Sequence, residues 1–294
     1  MITVRVPGTS ANLGPGFDCF GIALSIYGYF GFEECEAGVH FEGVDEKYCN
    51  EDNLAVVAYR RAVREMGVPI KGLKVKIQSD VPVSRGLGSS ASLIVAGVVG
   101  ANANHGNKLT RQQMLDLVTE LEGHPDNVAP ALLGGMTASI VGPDGVHSMK
   151  CNIGEDIRVC VLVPDFELET KKSRAALPKR LDIQDAIFNI SRAAVLLKAL
   201  ECSDFATISV SMDDRLHQPY RKGLIDEYDS VRAMAMECGA ASFCISGAGP
   251  TLLCIYKEEG FADKMLEKVK ALKNNWRVLP VTIDRKGAVI IEGE

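Results

Sequence analysis

The 294-residue chain predicts an α+β protein in two parts. Strand-like alternation and helix-like spacing are mixed in both halves, which argues for helices on one face of each of two sheets. A polar break at Asn152, Gly154, Glu155 and Asp156 divides the chain, giving expected domains of 1–155 and 156–294. Glycine-rich segments near the N-terminus, in the first half and near the C-terminus mark turns or loops between these elements.

The elements follow in order. Ile2, Val4 and Val6 alternate as a strand and lead into Pro7–Asp18, a stretch dense in turn formers. A strand-like run covers Ala23 to Phe32. A helix opens at Asn53 and closes at Gly67, with Leu54, Val57, Ala58 and Ala62 at helical spacing. Leu73 to Ile77 forms the strand feeding the Gly-Ser loop, and Leu93 to Ala103 the apolar helix after it. Thr110 with Gln113 makes a capping box for a helix reaching Glu122 and stopping at Gly123. A short helix from Asp126 and a strand near Met136 to Val141 finish the first unit. Val159, Val161 and Val163 start the second, followed by helices at 184–201, 203–212 and 228–238. Strands flank Ser246–Pro250, and a helix at 261–273 precedes strands at 277–283 and Ala288–Glu292.

Composition excludes several classes. A net charge of −6 shows no sign of a nucleic-acid surface or a polybasic membrane patch. The most lipid-like segment, Ala91 to Ala103, carries Ser92 and Asn102 and falls short of the ~20 apolar residues that a spanning helix needs. Nine cysteines without a CxxC pair fit a reducing compartment, and Cys160, Cys244 and Cys254 sit in apolar strands as core residues. No secretory signal is visible, so a cytoplasmic protein is expected.

The chemistry is carried by Pro82, Val83, Ser84, Arg85, Gly86, Leu87, Gly88, Ser89, Ser90, Ala91 and Ser92. Glycines let consecutive amides turn toward one anion, and the helix behind them presents unsatisfied N–H groups. Ser89 and Ser90 could cap that helix, reach a phosphate oxygen or ligate magnesium. A tight turn with a serine cap is the plainer alternative. No Walker lysine follows a glycine. GxGxxA is met by Gly86–Ala91, but Pro82, Ser84 and Arg85 part it from its strand, and no acidic residue lies near Asn102–Asn107. There is no GxSxG elbow or HExxH pair, so hydrolase readings fall away.

Taken together, TSANLGPGFD, GLGSSAS, EGHPDNVAP and SGAGP resemble the signatures of the GHMP small-molecule kinases, over nearly the whole chain. Their wording is similar to the branch that phosphorylates the side-chain hydroxyl of L-homoserine for threonine biosynthesis. The resemblance implies a ribosomal-protein-like N-terminal ATP-binding domain, a ferredoxin-like C-terminal domain, ATP and Mg2+ as cofactors, and a homodimer. It also implies that the 82–92 loop holds the nucleotide and that Ser90 and Glu122 bind the metal.

Homoserine is a zwitterion, so it needs a carboxylate for its ammonium and guanidinium forks for its carboxylate. Asp18 fits the first need, and Arg174 and Arg221 the second. Asn12 and His124 complete the expected pocket by hydrogen bonding, and Asn12, His124 and Arg174 are the candidates for catalytic contact. Arg174 is placed on a loop that closes over substrate. The family's longer insertion between Glu122 and His124 is reduced here to Gly123. No neighbour in sequence is evident to hold His124 in one tautomer, so direct attack by the substrate hydroxyl is expected, not general-base catalysis. A sister kinase for mevalonate, a sugar or shikimate, and a non-catalytic nucleotide sensor of the same fold, are the alternatives.

Overall fold

The computed structural model describes residues 1–69 and 71–291. Within them lie strands β1 (Ile2–Ala11), β2 (Phe20–Cys35), β3 (Val39–Glu42), β4 (Gly72–Ser79), β5 (Met136–Gly142), β6 (Gly145–Cys151), β7 (Arg158–Pro164), β8 (Ala240–Ile245), β9 (Leu252–Tyr256), β10 (Trp276–Val281) and β11 (Val289–Ile291). The helices are α1 (Leu54–Glu65), α2 (Ser89–Asn104), α3 (Arg111–Glu122), α4 (Pro125–Leu133), α5 (Thr170–Ala175), α6 (Ile183–Cys202), α7 (Phe205–Ser211), α8 (Gln218–Arg221), α9 (Tyr228–Cys238) and α10 (Phe261–Val269).

The first sheet runs β11-β1-β2-β4-β3, with β5 on β2 and β6 on β5; only β3 and β4 pair in parallel. Apolar residues on its helix side pack with α1 to α4 in one core that includes Val4, Phe30, Val56, Val95 and Val118. Sequence signals set those helices well. Asn53 accepts the amide of Ala55 at 3.0 Å, and Thr110 and Gln113 form the capping box expected of them. Each such cap stabilises its helix by about 1 kcal/mol.

The second sheet is antiparallel, in the order β10-β7-β9-β8. Numbered from its own first strand, this is the 4-1-3-2 order of a ferredoxin-like unit. The expectation of helices on one face only is corrected here. Along β7, Val159, Val161 and Val163 face a core shared with α6, α7 and the first sheet, while Cys160 and Leu162 face α9 and α10. An apolar residue at every position buries both faces.

Some boundaries also differ. Strand β1 continues through Thr9 and Ser10 to Ala11, into what the turn formers marked as loop, because it stays paired with β2 as far as Ala11 and Gly21. β3, β6, α5 and α8 carry too few apolar residues for a periodic signal. The final strand is β11, paired with β1 between Thr3 and Ile291; Glu292 of the expected strand lies outside the described residues. The segment that follows β10 thus packs with the first sheet, where Ile283 bridges Leu24.

Candidate active site

The three glycine segments converge. Gly86 lies against the SGAGP loop: Ser246 Oγ donates to its carbonyl at 2.6 Å, and the amide of Thr251 donates to Arg85 O at 3.3 Å. The amide of Gly247 reaches Ala11 O at 3.0 Å, and that of Thr9 reaches Leu87 O at 3.0 Å. Gly86 and Gly88 have φ of +72° and +70°, which side chains with a Cβ rarely adopt. A Cβ on Gly86 would lie 2.4 Å from Ser246 O, and one on Gly88 would lie 2.0 Å from Thr9 Oγ1.

Gly88 is the N-cap of α2 and offers no side-chain cap, so the serine-capped turn is not what forms. The first amides of α2 have no partner within the helix and no capping hydroxyl, and they face a cavity of about 710 Å3. Such a helix start is a ready anion site. Val83, Ser84, Arg85, Gly86, Gly88, Ser89, Ser90 and Ser92 line this cavity, whereas Leu87 and Ala91 turn their side chains into the hydrophobic cores and Pro82 lies off the lining. The Arg85 side chain is tied down elsewhere, donating to Pro164 O at 3.1 Å and Asp165 O at 2.8 Å.

Glu122, at the end of α3, meets Ser90 in the first turn of α2. The serine hydroxyl donates to Glu122 Oε2 at 2.8 Å. Burial is the largest influence on this carboxyl and raises its pKa above the ordinary value, against the lowering effect of Ser90. A half-buried carboxylate and a hydroxyl side by side, at the edge of an anion-binding helix start, suit a hard divalent cation such as magnesium.

Gly123 closes α3 with φ of +89°, and His124 is the N-cap of α4. His124 Nδ1 lies 2.7 Å from Asp126 Oδ1, and Asp126 is 1% exposed. This corrects the expectation that no neighbour orients the ring: Asp126 does so from two residues away. Burial works to lower the imidazole pKa, but the hydrogen bond and charge of Asp126 outweigh it, and the net shift is upward. One oxygen of Asp18 and one of Asp126 fall with a His124 nitrogen inside a 4.8 Å cluster, a second place where metal-type donors meet.

The predicted acceptor residues are brought together, in a different pairing. Arg174 is carried by a helix and not by the expected loop. It sits on α5, anchored by Ser173 Oγ donating to Ala248 O at 2.8 Å, and its Nη2 and Nη1 donate to Asp18 at 2.7 and 3.2 Å. Asn12 is also engaged: its Nδ2 donates to Gly247 O at 2.9 Å and its Oδ1 accepts the amide of Asp18 at 3.0 Å. Arg221 is buried and donates from Nη1 to the same Gly247 O at 2.9 Å. Its pKa is lowered to about 10, first by burial and then by the positive charge of Arg174. Both guanidinium groups lie near the Phe17 ring, at 5.6 and 5.1 Å from its centroid. Asn12, His124, Asp126, Arg174 and Arg221 share the cavity with the Gly-Ser loop.

Sequence reasoning missed Asp126, Asn127 and Phe17. Asn127 accepts the Thr9 hydroxyl at 2.8 Å beside Gly88. Asp126 and Asn127 were in view within EGHPDNVAP, and their nearness to a helix start was the available signal.

A Gly-Ser helix start, a carboxylate-hydroxyl pair and a set of charged side chains in one cleft define a phosphotransferase of small molecules. Residues 53–135 match the family model for the GHMP kinases N terminal domain, and residues 196–275 that for the GHMP kinases C terminal domain. The chain belongs to the GHMP kinase family. It is 46% identical over 292 residues to a homoserine kinase of Clostridium botulinum, strain Langeland, spanning 99% of this chain and 98% of that one. It is 43% identical over 296 residues to the homoserine kinase of Clostridium beijerinckii, spanning 100% and 99%. The crystal structure of homoserine kinase from Cytophaga hutchinsonii superposes with a TM-score of 0.88 at 28% identity, covering 99% and 97% of the two chains. Mevalonate kinase from Methanococcus jannaschii shares the fold, with a TM-score of 0.70 at 14% identity.

Proposed function

We propose that this chain transfers the γ-phosphoryl group of ATP to the side-chain hydroxyl of L-homoserine, a step of threonine biosynthesis. The observation that carries the reading is that one cavity is lined both by the uncapped start of α2 and by Arg174 and Arg221, with Asp18 paired to Arg174. Relatives above 40% identity along the whole chain are homoserine kinases.

Phosphoryl transfer is mainly positioning and charge neutralisation. The α2 amides and the 82–92 loop hold the triphosphate, and Ser90 and Glu122 hold magnesium, which when bound neutralises charge on the transferred group. Asp18 takes the ammonium of the acceptor, and Arg174 and Arg221 its carboxylate. The hydroxyl oxygen, oriented by Asn12 and His124, bonds to phosphorus as the bridging P–O bond of ATP breaks. Its proton leaves late, to a phosphoryl oxygen. His124 hydrogen-bonds and orients; it is not the base that starts the reaction.

The division at residue 155 belongs to the same reading. Residues 1–155 supply the cradle, Ser90 and Glu122 as an ATP-binding domain; 156–294 supply Arg174, Arg221 and the SGAGP loop, lending β11 back to the first sheet. No helix among the described residues is long and apolar enough to cross a membrane. The free cysteines support a reducing cytoplasm. A homodimer is proposed too, and the exposed Ile183, Ile187 and Ile190 on α6 give it an apolar surface; sedimentation tests it.

Coupled ADP release with a panel of alcohols tests the function. Homoserine is expected to be turned over and mevalonate, galactose and shikimate are not. Activity on mevalonate alone would select a sister kinase, and none on any alcohol a nucleotide sensor.

A further inference from the structure

Arg221 is 1% exposed, and its Nε has no hydrogen-bond partner. Something other than solvent must therefore fix the plane of its guanidinium. Besides Gly247 O, its Nη1 has one neighbour, Nδ1 of His217 at 3.4 Å. His217 is fully buried, and its Nε2 lies 2.9 Å from Gly14 O. A carbonyl only accepts, so Nε2 carries the hydrogen and Nδ1 keeps its lone pair for the arginine. Burial lowers the proton affinity of this ring, against the pull of Asp214.

The histidine is itself held. Asp214 accepts the amides of Leu216, His217 and Gln218 at 2.8, 2.9 and 2.6 Å, and Asn189 Nδ2 at 2.7 Å. Gln218 Oε1 accepts the amide of Ile245 at 2.9 Å, one residue before the SGAGP loop. The Phe17 ring stacks on His217 with centroids 5.4 Å apart, and covers Arg221 as well. The short helix α8 is thus fastened to the GPGFD segment on one side and the SGAGP strand on the other.

We infer that His217 is a positioning residue for acceptor recognition: its Nδ1 orients the Arg221 fork while its Nε2–H clasps Gly14, so that the acceptor's carboxylate meets a preset partner. This rests on the homoserine reading above. The two ring nitrogens can be removed separately. A glutamine places its amide nitrogen near the Nε2 position and loses the acceptor at Nδ1; an asparagine places its oxygen near Nδ1 and loses the clasp.

Initial rates of His217→Gln and His217→Asn with homoserine and ATP varied in turn test this. With His217→Gln, the KM for homoserine is expected to rise about tenfold or more, the loss of a hydrogen bond to a charged group, with the KM for ATP and the saturated rate within about twofold of native. His217→Asn is expected to restore most of the homoserine KM. A glutamine variant with unchanged homoserine KM, an asparagine variant whose homoserine KM rises about tenfold or more, or equal rises in the KM for homoserine and for ATP overturns the inference, so either variant decides alone if the other does not fold. Native protein that binds ATP but never phosphorylates homoserine overturns the functional reading instead.

Discussion

Asp18 and Arg174, 156 positions apart in sequence, are joined by two hydrogen bonds of 2.7 and 3.2 Å, each oxygen of the carboxylate taking one nitrogen of the fork. Each group is complementary to one end of a zwitterion, and without that zwitterion each neutralises the other. In the proposed reading, acceptor binding would exchange this one ion pair for two.

This exchange predicts that Asp18→Asn and Arg174→Ala each raise the KM for homoserine about tenfold to a hundredfold, the range for hydrogen bonds to charged groups. The KM for ATP is expected to stay near native. Steady-state kinetics with each substrate varied in turn checks this. A comparable rise for ATP would place the pair in general architecture, not in acceptor binding.

Glu122→Gln is expected to raise the magnesium concentration for half-maximal rate at least about tenfold. Its effect on stability has the opposite sign. A carboxyl whose folded pKa lies above its unfolded value binds protons more tightly in the native state, so native stability falls as pH rises through that window. In metal-free buffer the variant therefore gains in melting temperature over native as pH moves from about 4 to 7. A gap that is constant with pH would show the carboxyl untitrated in that range.

For His124→Gln, direct attack predicts a kcat reduction of less than about a hundredfold, the lower end of what a general base contributes, with a raised homoserine KM. A loss of several powers of ten with binding intact would make His124 the base. The upward pKa shift also implies that the stability contributed by the His124–Asp126 contact is present below the unfolded histidine value and lost as pH rises through the folded one. Thermal melts of native protein and Asp126→Asn should converge above that range.

Gly88→Ala meets two penalties: a φ of +70°, costing about 1–2 kcal/mol for a residue with a Cβ, and a Cβ 2.0 Å from Thr9 Oγ1. A lowered melting temperature and a raised KM for ATP are expected together. A variant with native nucleotide affinity would separate the loop from phosphate binding.

Much of this was legible from residues 1–155. Asn53, Gly67, Thr110, Gln113 and Gly123 stand where helices start and stop, because caps are local chemistry. The convergence of three glycine segments was legible only through their resemblance to a family, since no local rule brings Ala11 beside Gly247. The acceptor side was harder. Arg174 and Arg221 lie on helices of six and four residues, too short for periodicity to register. Asp126 escaped notice because its value comes from burial, and neither burial nor the partner of a side chain is written in the spacing of a turn.

Strand β11, described above as the partner of β1, makes the first sheet a structure interrupted by the whole second one. A protein cut at residue 155 would leave β1 with one bare edge, its N–H and C=O groups open to any passing strand. Neither half is therefore expected to be well behaved when produced by itself, and the two should melt as one cooperative body.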